Sequence, residues 1–280
     1  MGLLDKPGFC SLYIAVDNHY LDKLLVSYPT WVHCHPEILN MDHVFVYDNQ
    51  EVTVHDARWG KLNGMRRRAL AAIGRQLTTE DRTYLVPWSM DHSDGVSQRE
   101  EMLTGLVRCA ESIRTPWYLK LDADTYANKK TGFYYDKWFE GNPCYISNPW
   151  GYAKPGDQID LMNAWAKTVP EIRDLPDVRG TKVWRESPPE TPPWKVNWPR
   201  MASWVQFGNT GWTQWCSSLC PKDERLPTPS QDTYLSFLQR RTSALWVPVK
   251  FRSYGWEHSK GFDNLRHSCR LILESLGVSP

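Results

Sequence analysis

Two alternating periodicities constrain this chain most. Short runs rich in β-branched and aromatic residues stand at Ser11–Val16, His43–Tyr47, Thr83–Pro87 and Trp117–Leu121. Between them, apolar residues recur at helical spacing. Strands that alternate with helices imply parallel pairing, because each crossover helix returns the chain to the same edge of the sheet. The pattern predicts an α/β fold, with a mixed, mostly parallel central sheet and helices on both faces.

The helical stretches carry their own punctuation. Leu21, Leu24, Leu25 and Tyr28 share a face after Asp17-Asn18, and Pro29 is expected to disturb that helix. Met65 to Leu77 reads as a helix flanked by Arg66, Arg67, Arg68 and Arg75, a set expected to face water. Ser97 and Glu100 form a capping box, followed by Met102, Leu103, Leu106, Val107, Ala110 and Ile113 as an apolar stripe. Thr115-Pro116 stops that helix, and the strand Trp117–Leu121 follows. Later elements are expected at Asp160–Lys167 (helix), Trp204–Phe207 (strand), Ser230–Arg241 (helix), Leu245–Phe251 (strand) and Asn264–Leu276 (helix). Arg185 to Pro199 is Pro-rich and reads as an ordered loop without helix.

Bulk properties bound the function loosely. The chain has 280 residues, enough for a buried core, and a formal net charge of +1 that singles out no polyanionic partner. No apolar run approaches the ~18 residues of a membrane span, and the first residues lack the order of a secretory signal. Seven scattered cysteines, an odd count, suggest reduced thiols and a cytoplasmic setting, or a host cytoplasm if the protein is viral. Fifteen tryptophans are an excess. Six of them (Trp184, Trp194, Trp198, Trp204, Trp212 and Trp215) crowd one polar, Pro-rich region, where flat rings suit sugars or nucleobases as well as packing.

The chemistry concentrates after the fourth strand. Asp122 and Asp124 follow the apolar run Tyr118-Leu119-Lys120-Leu121, at the carboxyl edge where α/β sheets bind ligands. Spaced by one residue, the two side chains are expected to point the same way and to repel each other. A divalent cation resolves the repulsion, since Mg²⁺ and Mn²⁺ take oxygen ligands and bridge carboxylates to phosphates. Trp31-Val32-His33-Cys34-His35 lacks a second pair at zinc spacing, so a zinc site is not expected. A Walker motif and a dinucleotide GxGxxG are absent. Cys216 and Cys220 have helical spacing and read as packing.

The run Tyr118 to Thr125 resembles the DxD signature of the GT-A glycosyltransferases. The resemblance implies a GT-A (Rossmann-like) fold in a single domain, with a nucleotide-sugar-binding half at 1–126 and an acceptor-binding, catalytic half at 127–280. It implies a donor site at the first strand (Ala15, Val16, Asp17), with Asp48 for the base or ribose, the Gly-rich turn Phe207–Gly211 (Gly208 and Asn209) lining the sugar pocket, and Lys260 near the diphosphate, whose charge Arg99, at the start of the capped helix, is placed to share. Gly255 to Gly261 is similar to the late histidine segment of that family, which makes His258 the third metal ligand beside Asp122 and Asp124, for Mn²⁺ or Mg²⁺. Asp232 stands where inverting members carry a catalytic base, although Gln231 replaces the Glu usual before it.

The expected activity is therefore metal-dependent transfer of a sugar from a nucleotide-sugar, UDP-linked, to an acceptor hydroxyl, with inversion if Asp232 is the base and with a retaining course open if Asp232 is structural. The acceptor is open. Arg66–Arg68, Lys129-Lys130 and Arg240-Arg241 admit a hydroxymethylated DNA base as one candidate. Two rival readings use the same residues differently: a metal-dependent nucleotidyltransferase, and a non-catalytic carbohydrate-binding protein.

Overall fold

A computed structural model describes residues 2–16, 18–48, 55–72, 83–88, 112–129, 136–152, 157–178, 199–219, 231–259 and 261–278. The capped helix expected over Ser97–Ile113 lies outside these residues up to position 111, as do 185–198 of the Pro-rich loop.

The strands are β1 (Cys10–Val16), β2 (Asp42–Asp48), β3 (Thr83–Trp88), β4 (Trp117–Leu121), β5 (Thr125–Ala127), β6 (Tyr145–Tyr152), β7 (Pro199–Asn209), β8 (Trp246–Pro248) and β9 (Trp256–His258). The helices are α1 (Asn18–Cys34), α2 (His55–Ala72), α3 (Asp157–Ala166), α4 (Thr210–Ser218), α5 (Gln231–Arg241) and α6 (Phe262–Ser275). Seven strands form one sheet in the order β3-β2-β1-β4-β7-β6-β8, and β5 pairs with β9 in a separate ribbon. β1, β2, β3 and β4 run parallel, whereas β7 is antiparallel to both β4 and β6. The mixed, mostly parallel sheet expected from the alternating pattern is present.

Alternation along the strands splits the core in two. Leu12 and Ile14 of β1, with Leu119 and Leu121 of β4, pack in one cluster with Leu24, Tyr28 and Trp31 of α1. Tyr13 and Tyr118, at the intervening positions, pack with Met162 of α3, Cys216 of α4 and Tyr234 of α5 in the other. Helices therefore cover both faces. All five cysteines described (Cys10, Cys34, Cys144, Cys216 and Cys269) are buried free thiols. No helix among the described residues is long and apolar enough to cross a membrane.

Three local expectations are corrected. α1 does not stop near Pro29 but runs on to Cys34. Proline removes one helical donor, yet Tyr28 and Trp31 on either side of it are fully buried in the core under the sheet, and that burial overrides the local break. The segment Phe207–Gly211 is not a turn between strands. β7 extends to Asn209, whose side chain accepts from the Trp212 N–H and caps α4. The strand expected to reach Phe251 ends at Pro248; the Val249 N–H still donates to the Ser147 carbonyl of β6 at 2.9 Å, and a 3-10 turn follows at Phe251–Tyr254.

Gly208 is required by a close approach. A Cβ there would lie 2.1 Å from the Tyr118 ring. Tyr118 is fully buried, and its hydroxyl is 3.1 Å from Thr213 Oγ1 and 3.4 Å from the Tyr145 hydroxyl, so the ring has nowhere to go. Gly208→Ala is expected to lower unfolding stability by about 3 kcal/mol in a urea titration, and pairing it with Tyr118→Phe to restore little, since the ring carbons clash too.

Candidate metal and nucleotide site

The carboxyl ends of the parallel strands form one rim. Tyr13 of β1 pairs with Lys120 of β4, and Val16 pairs with Tyr47 of β2. Ala15, Val16 and Asp48 thus end on the same rim as Asp122. Their side chains, and Asp17, lie outside the description.

Asp122 and Asp124 do not converge through strand alternation, as the sequence pattern implied. β4 ends at Leu121, and the Thr125 N–H donates to the Asp122 carbonyl at 2.9 Å, closing a turn. That turn brings the two carboxylates together. Its geometry is fixed from α1, whose residues at positions 23, 27, 30 and 31 share one helical face. The Ser27 hydroxyl donates to the Ala123 carbonyl at 2.7 Å, and the Trp31 indole N–H to the Thr125 carbonyl at 2.7 Å. The Ala127 N–H donates to Thr30 Oγ1 at 3.1 Å. From the other side, the Asp122 N–H donates to the Trp204 carbonyl of β7 at 3.0 Å.

His258 arrives on the β5–β9 ribbon, directly opposite Thr125. The Ser259 N–H donates to the Asp124 carbonyl at 3.0 Å, which locks the histidine strand against the acid turn. Gly255, directly before that strand, has φ 85°. A Cβ on it would fall 2.8 Å from Lys129 Cβ and 3.2 Å from the Lys129 nitrogen. Gly255→Ala is expected to cost about 2 kcal/mol of stability and to weaken Mn²⁺ binding, measured by titration, because the displaced strand carries His258.

One ligand atom each from Asp122, Asp124 and His258 lies within 4.8 Å of the others. Opposite ligands of a Mg²⁺ ion are ~4.2 Å apart, with bonds near 2.1 Å, so a small closure brings this set onto a cation. Two carboxylates and an imidazole are a donor set suited to Mn²⁺ or Mg²⁺, and the residues fit the group.

Asp124 and His258 shift each other's protonation. Asp124 is 6% exposed. Burial pushes its carboxyl up, but the hydrogen bond and charge of His258 and the charge of Lys23 outweigh it, and the pKa falls below the ordinary value. The hydrogen bond from Nε2 to Asp124, at 3.1 Å, raises the His258 imidazole against the opposing effect of burial.

Sequence reasoning passed over two lysines here. Lys23 Nζ lies 3.2 Å from Asp124 Oδ2, and Lys120 Nζ lies 2.5 Å from Asp122 Oδ1. Lys120 carried a signal, being the one charged residue in an apolar strand. Lys23 carried none, since its partner is about a hundred positions away.

Other expected residues fall elsewhere. The β4–β7 register sets Leu121 opposite Val205 and Trp117 opposite Asn209. Gly208 and Asn209 therefore sit some four residues, ~13 Å, from the acid-bearing rim, where one accommodates Tyr118 and the other caps α4. Trp204 is the residue of that stretch at the site, its ring centroid 6.3 Å from His258. Asp232 is in the first turn of α5, its side chain outside the description. Arg99 and Lys260 lie outside the described residues, as do Trp184, Trp194 and Trp198. Arg66 is 1% exposed, with its guanidinium 3.4 Å from the Met41 carbonyl, so it is not the solvent-facing residue expected. Arg241 is likewise buried, donating to the Ile172 carbonyl at 3.0 Å and paired with Asp177 at 3.2 Å. Both are removed from any surface that could meet nucleic acid phosphates.

No protein-family model matches the sequence, and no curated protein matches it. Solved structures do. The mannosyltransferase Ktr4p from S. cerevisiae, in complex with GDP, superposes at a TM-score of 0.50 with 12% identity, covering 92% of this chain and 72% of that one. Core-mannan synthase A from Aspergillus fumigatus, in a Mn/GDP form, gives 0.49 with 10% identity over 96% and 85%. The 4-diphosphocytidyl-2C-methyl-D-erythritol synthase from Anaerococcus prevotii DSM 20548 gives 0.48 with 10% identity over 94% and 98%. The likeness to Ktr4p is one of fold, and that fold is the GT-A architecture that the DxD resemblance implied.

Proposed function

We propose that this protein is a metal-dependent glycosyltransferase that moves a sugar from a nucleoside diphosphate sugar, UDP-linked, to an acceptor hydroxyl. The observation that carries this reading is the convergence of Asp122, Asp124 and His258 at the rim of a GT-A sheet, with one ligand atom each within 4.8 Å. Free, buried thiols suit a reducing compartment such as the cytoplasm.

Residues 1–126 bind the donor and residues 127–280 supply the acceptor side. Asp122, Asp124 and His258 would hold Mn²⁺ or Mg²⁺. When bound, the cation draws off charge that develops on the departing diphosphate. Ala15, Val16 and Asp17 line the nucleoside cleft, and Asp48 accepts from the ribose or base. Arg99 and Lys260 share the diphosphate charge. Asp232 takes the proton of the acceptor hydroxyl, and the first turn of α5 keeps its carboxyl ionised. The hydroxyl oxygen bonds to the anomeric carbon as the bond to the diphosphate breaks, which inverts that centre. The flat face of Trp204, beside His258, suits a sugar ring.

Incubation with a panel of nucleotide-sugars and Mn²⁺ tests the reading. One donor is expected to be hydrolysed slowly to the free nucleoside diphosphate, and EDTA to stop the release. Consumption of a nucleoside triphosphate with release of diphosphate would instead establish nucleotidyl transfer.

A further inference from the structure

The two metal-ligand aspartates are each held by a buried lysine, and the two lysines come from different parts of the fold. Lys23 reaches Asp124 from α1, which covers the face of the sheet that Leu119 and Leu121 pack on. Lys120 stands on β4 at the alternate position shared with Tyr118, whose side chain packs in the other cluster. The lysine side chains are 7% and 4% exposed. Lys23 meets Oδ2 of Asp124, whose Oδ1 faces His258, and Lys120 meets Oδ1 of Asp122. Among the described residues nothing donates to Asp122 Oδ2.

An ammonium on each carboxylate has two consequences. It restrains the carboxylate plane, because an acid with one oxygen tethered to a buried ammonium cannot rotate freely. It also offsets the acid's charge, so an arriving cation meets two acids and two nearby like charges. The Coulomb repulsion falls slowly with distance inside a protein, and a diphosphate, which brings negative charge of its own, relieves it.

We propose that Lys23 and Lys120 are positioning residues that tether one oxygen of each aspartate and offset both charges, so that a divalent cation alone binds weakly and binds well only together with a nucleoside diphosphate. This rests on the metal site of the proposed function and adds to it a reason for ordered, joint loading. The expected benefit is discrimination: the site does not fill with free cation in the absence of its donor.

The test is Mn²⁺ binding, read by the loss of the free-ion electron paramagnetic resonance signal, with and without UDP. Lys120→Met and Lys23→Met are each expected to tighten Mn²⁺ binding in the absence of UDP by about tenfold or more, and to shrink the gain that UDP provides. Lys120→Arg, which keeps the charge, is expected to stay within about threefold of the parent. Lys120→Met is the safer variant, because Asp122 keeps 26% of its side chain in contact with water; it carries the test if Lys23→Met does not fold. Unchanged or weaker binding of Mn²⁺ alone in the folded methionine variants overturns the inference, since ion pairs that merely stabilise the fold would leave it so. Parent protein that takes up Mn²⁺ neither alone nor with UDP overturns the metal site itself, and this inference with it.

Discussion

Asp124→Asn is expected to reduce release of nucleoside diphosphate from the donor on the order of 10³-fold, while Mn²⁺ binding falls below detection. Asparagine keeps the volume of the side chain and removes its charge. The carboxylate stands between Lys23 Nζ at 3.2 Å and His258 Nε2 at 3.1 Å, so the substitution takes away a proposed metal ligand and the carboxylate that faces both neighbours. The contribution of a cation to a departing diphosphate is several kcal/mol, and about 4 kcal/mol corresponds to the stated loss. A stability cost accompanies it, about 3 kcal/mol, because Lys23 is left buried without its partner. The comparison is therefore made at a temperature where circular dichroism shows the variant folded. Asp122→Asn is expected to lose comparable turnover at a smaller stability cost, as Asp122 is partly exposed. Retained turnover in folded Asp124→Asn with Mn²⁺ present would contradict the assigned role.

The second large effect concerns acid. Burial holds His35 down to about 3. Burial also lowers His43, helped by the charge of Arg66 and opposed by its hydrogen bond to the Met41 carbonyl. The Tyr28 hydroxyl donates to His43 Nε2 at 2.8 Å, and Nδ1 donates to the Met41 carbonyl at 2.9 Å, a pattern that needs the neutral ring. His35 stacks on Trp256, with centroids 5.1 Å apart. The unfolded chain protonates both rings below the ordinary value of 6.5, while the folded chain does not. Stability is therefore lost as pH falls through that value, at up to ~1.4 kcal/mol per pH unit and per ring.

Between pH 6.5 and pH 5 the two rings together remove about 3 kcal/mol. His258 has the opposite sign: its raised pKa gives a contribution fully present below 6.5 and lost at higher pH, so it is flat across this window. Glu37, raised by burial, offsets a small part at the acid end. Urea unfolding of protein stripped with EDTA checks the prediction. His35→Phe, which preserves the stack on Trp256, is expected to halve the drop; an undiminished drop would contradict it.

How much of this was legible in the sequence follows from where each interaction lives. The strands Ser11–Val16, His43–Tyr47 and Trp117–Leu121 were legible because β-branched and aromatic residues fit a pleated, buried surface, a local property. Asp122, Asp124 and His258 were legible as residue types placed in order along the chain. The turn that brings the acids together was not, because the period-two pattern of Leu119, Leu121 and Ala123 continues past the end of β4. The reach of α1 beyond Pro29 depends on Ser27, Thr30 and Trp31 engaging backbone about a hundred positions later, and no local window contains that. The same distance hid Lys23. Gly208 and Asn209 misled for another reason: Gly and Asn mark turns, but they also serve close packing and helix caps, and only the Tyr118 ring and α4 decide between those uses.

Anomalous diffraction at the manganese edge, from crystals soaked with Mn²⁺ and UDP, tests the account most directly. A single peak bounded by Asp122, Asp124 and His258, with the diphosphate oxygens completing its shell, is the predicted result. A peak elsewhere, or UDP seated away from that rim, would contradict it.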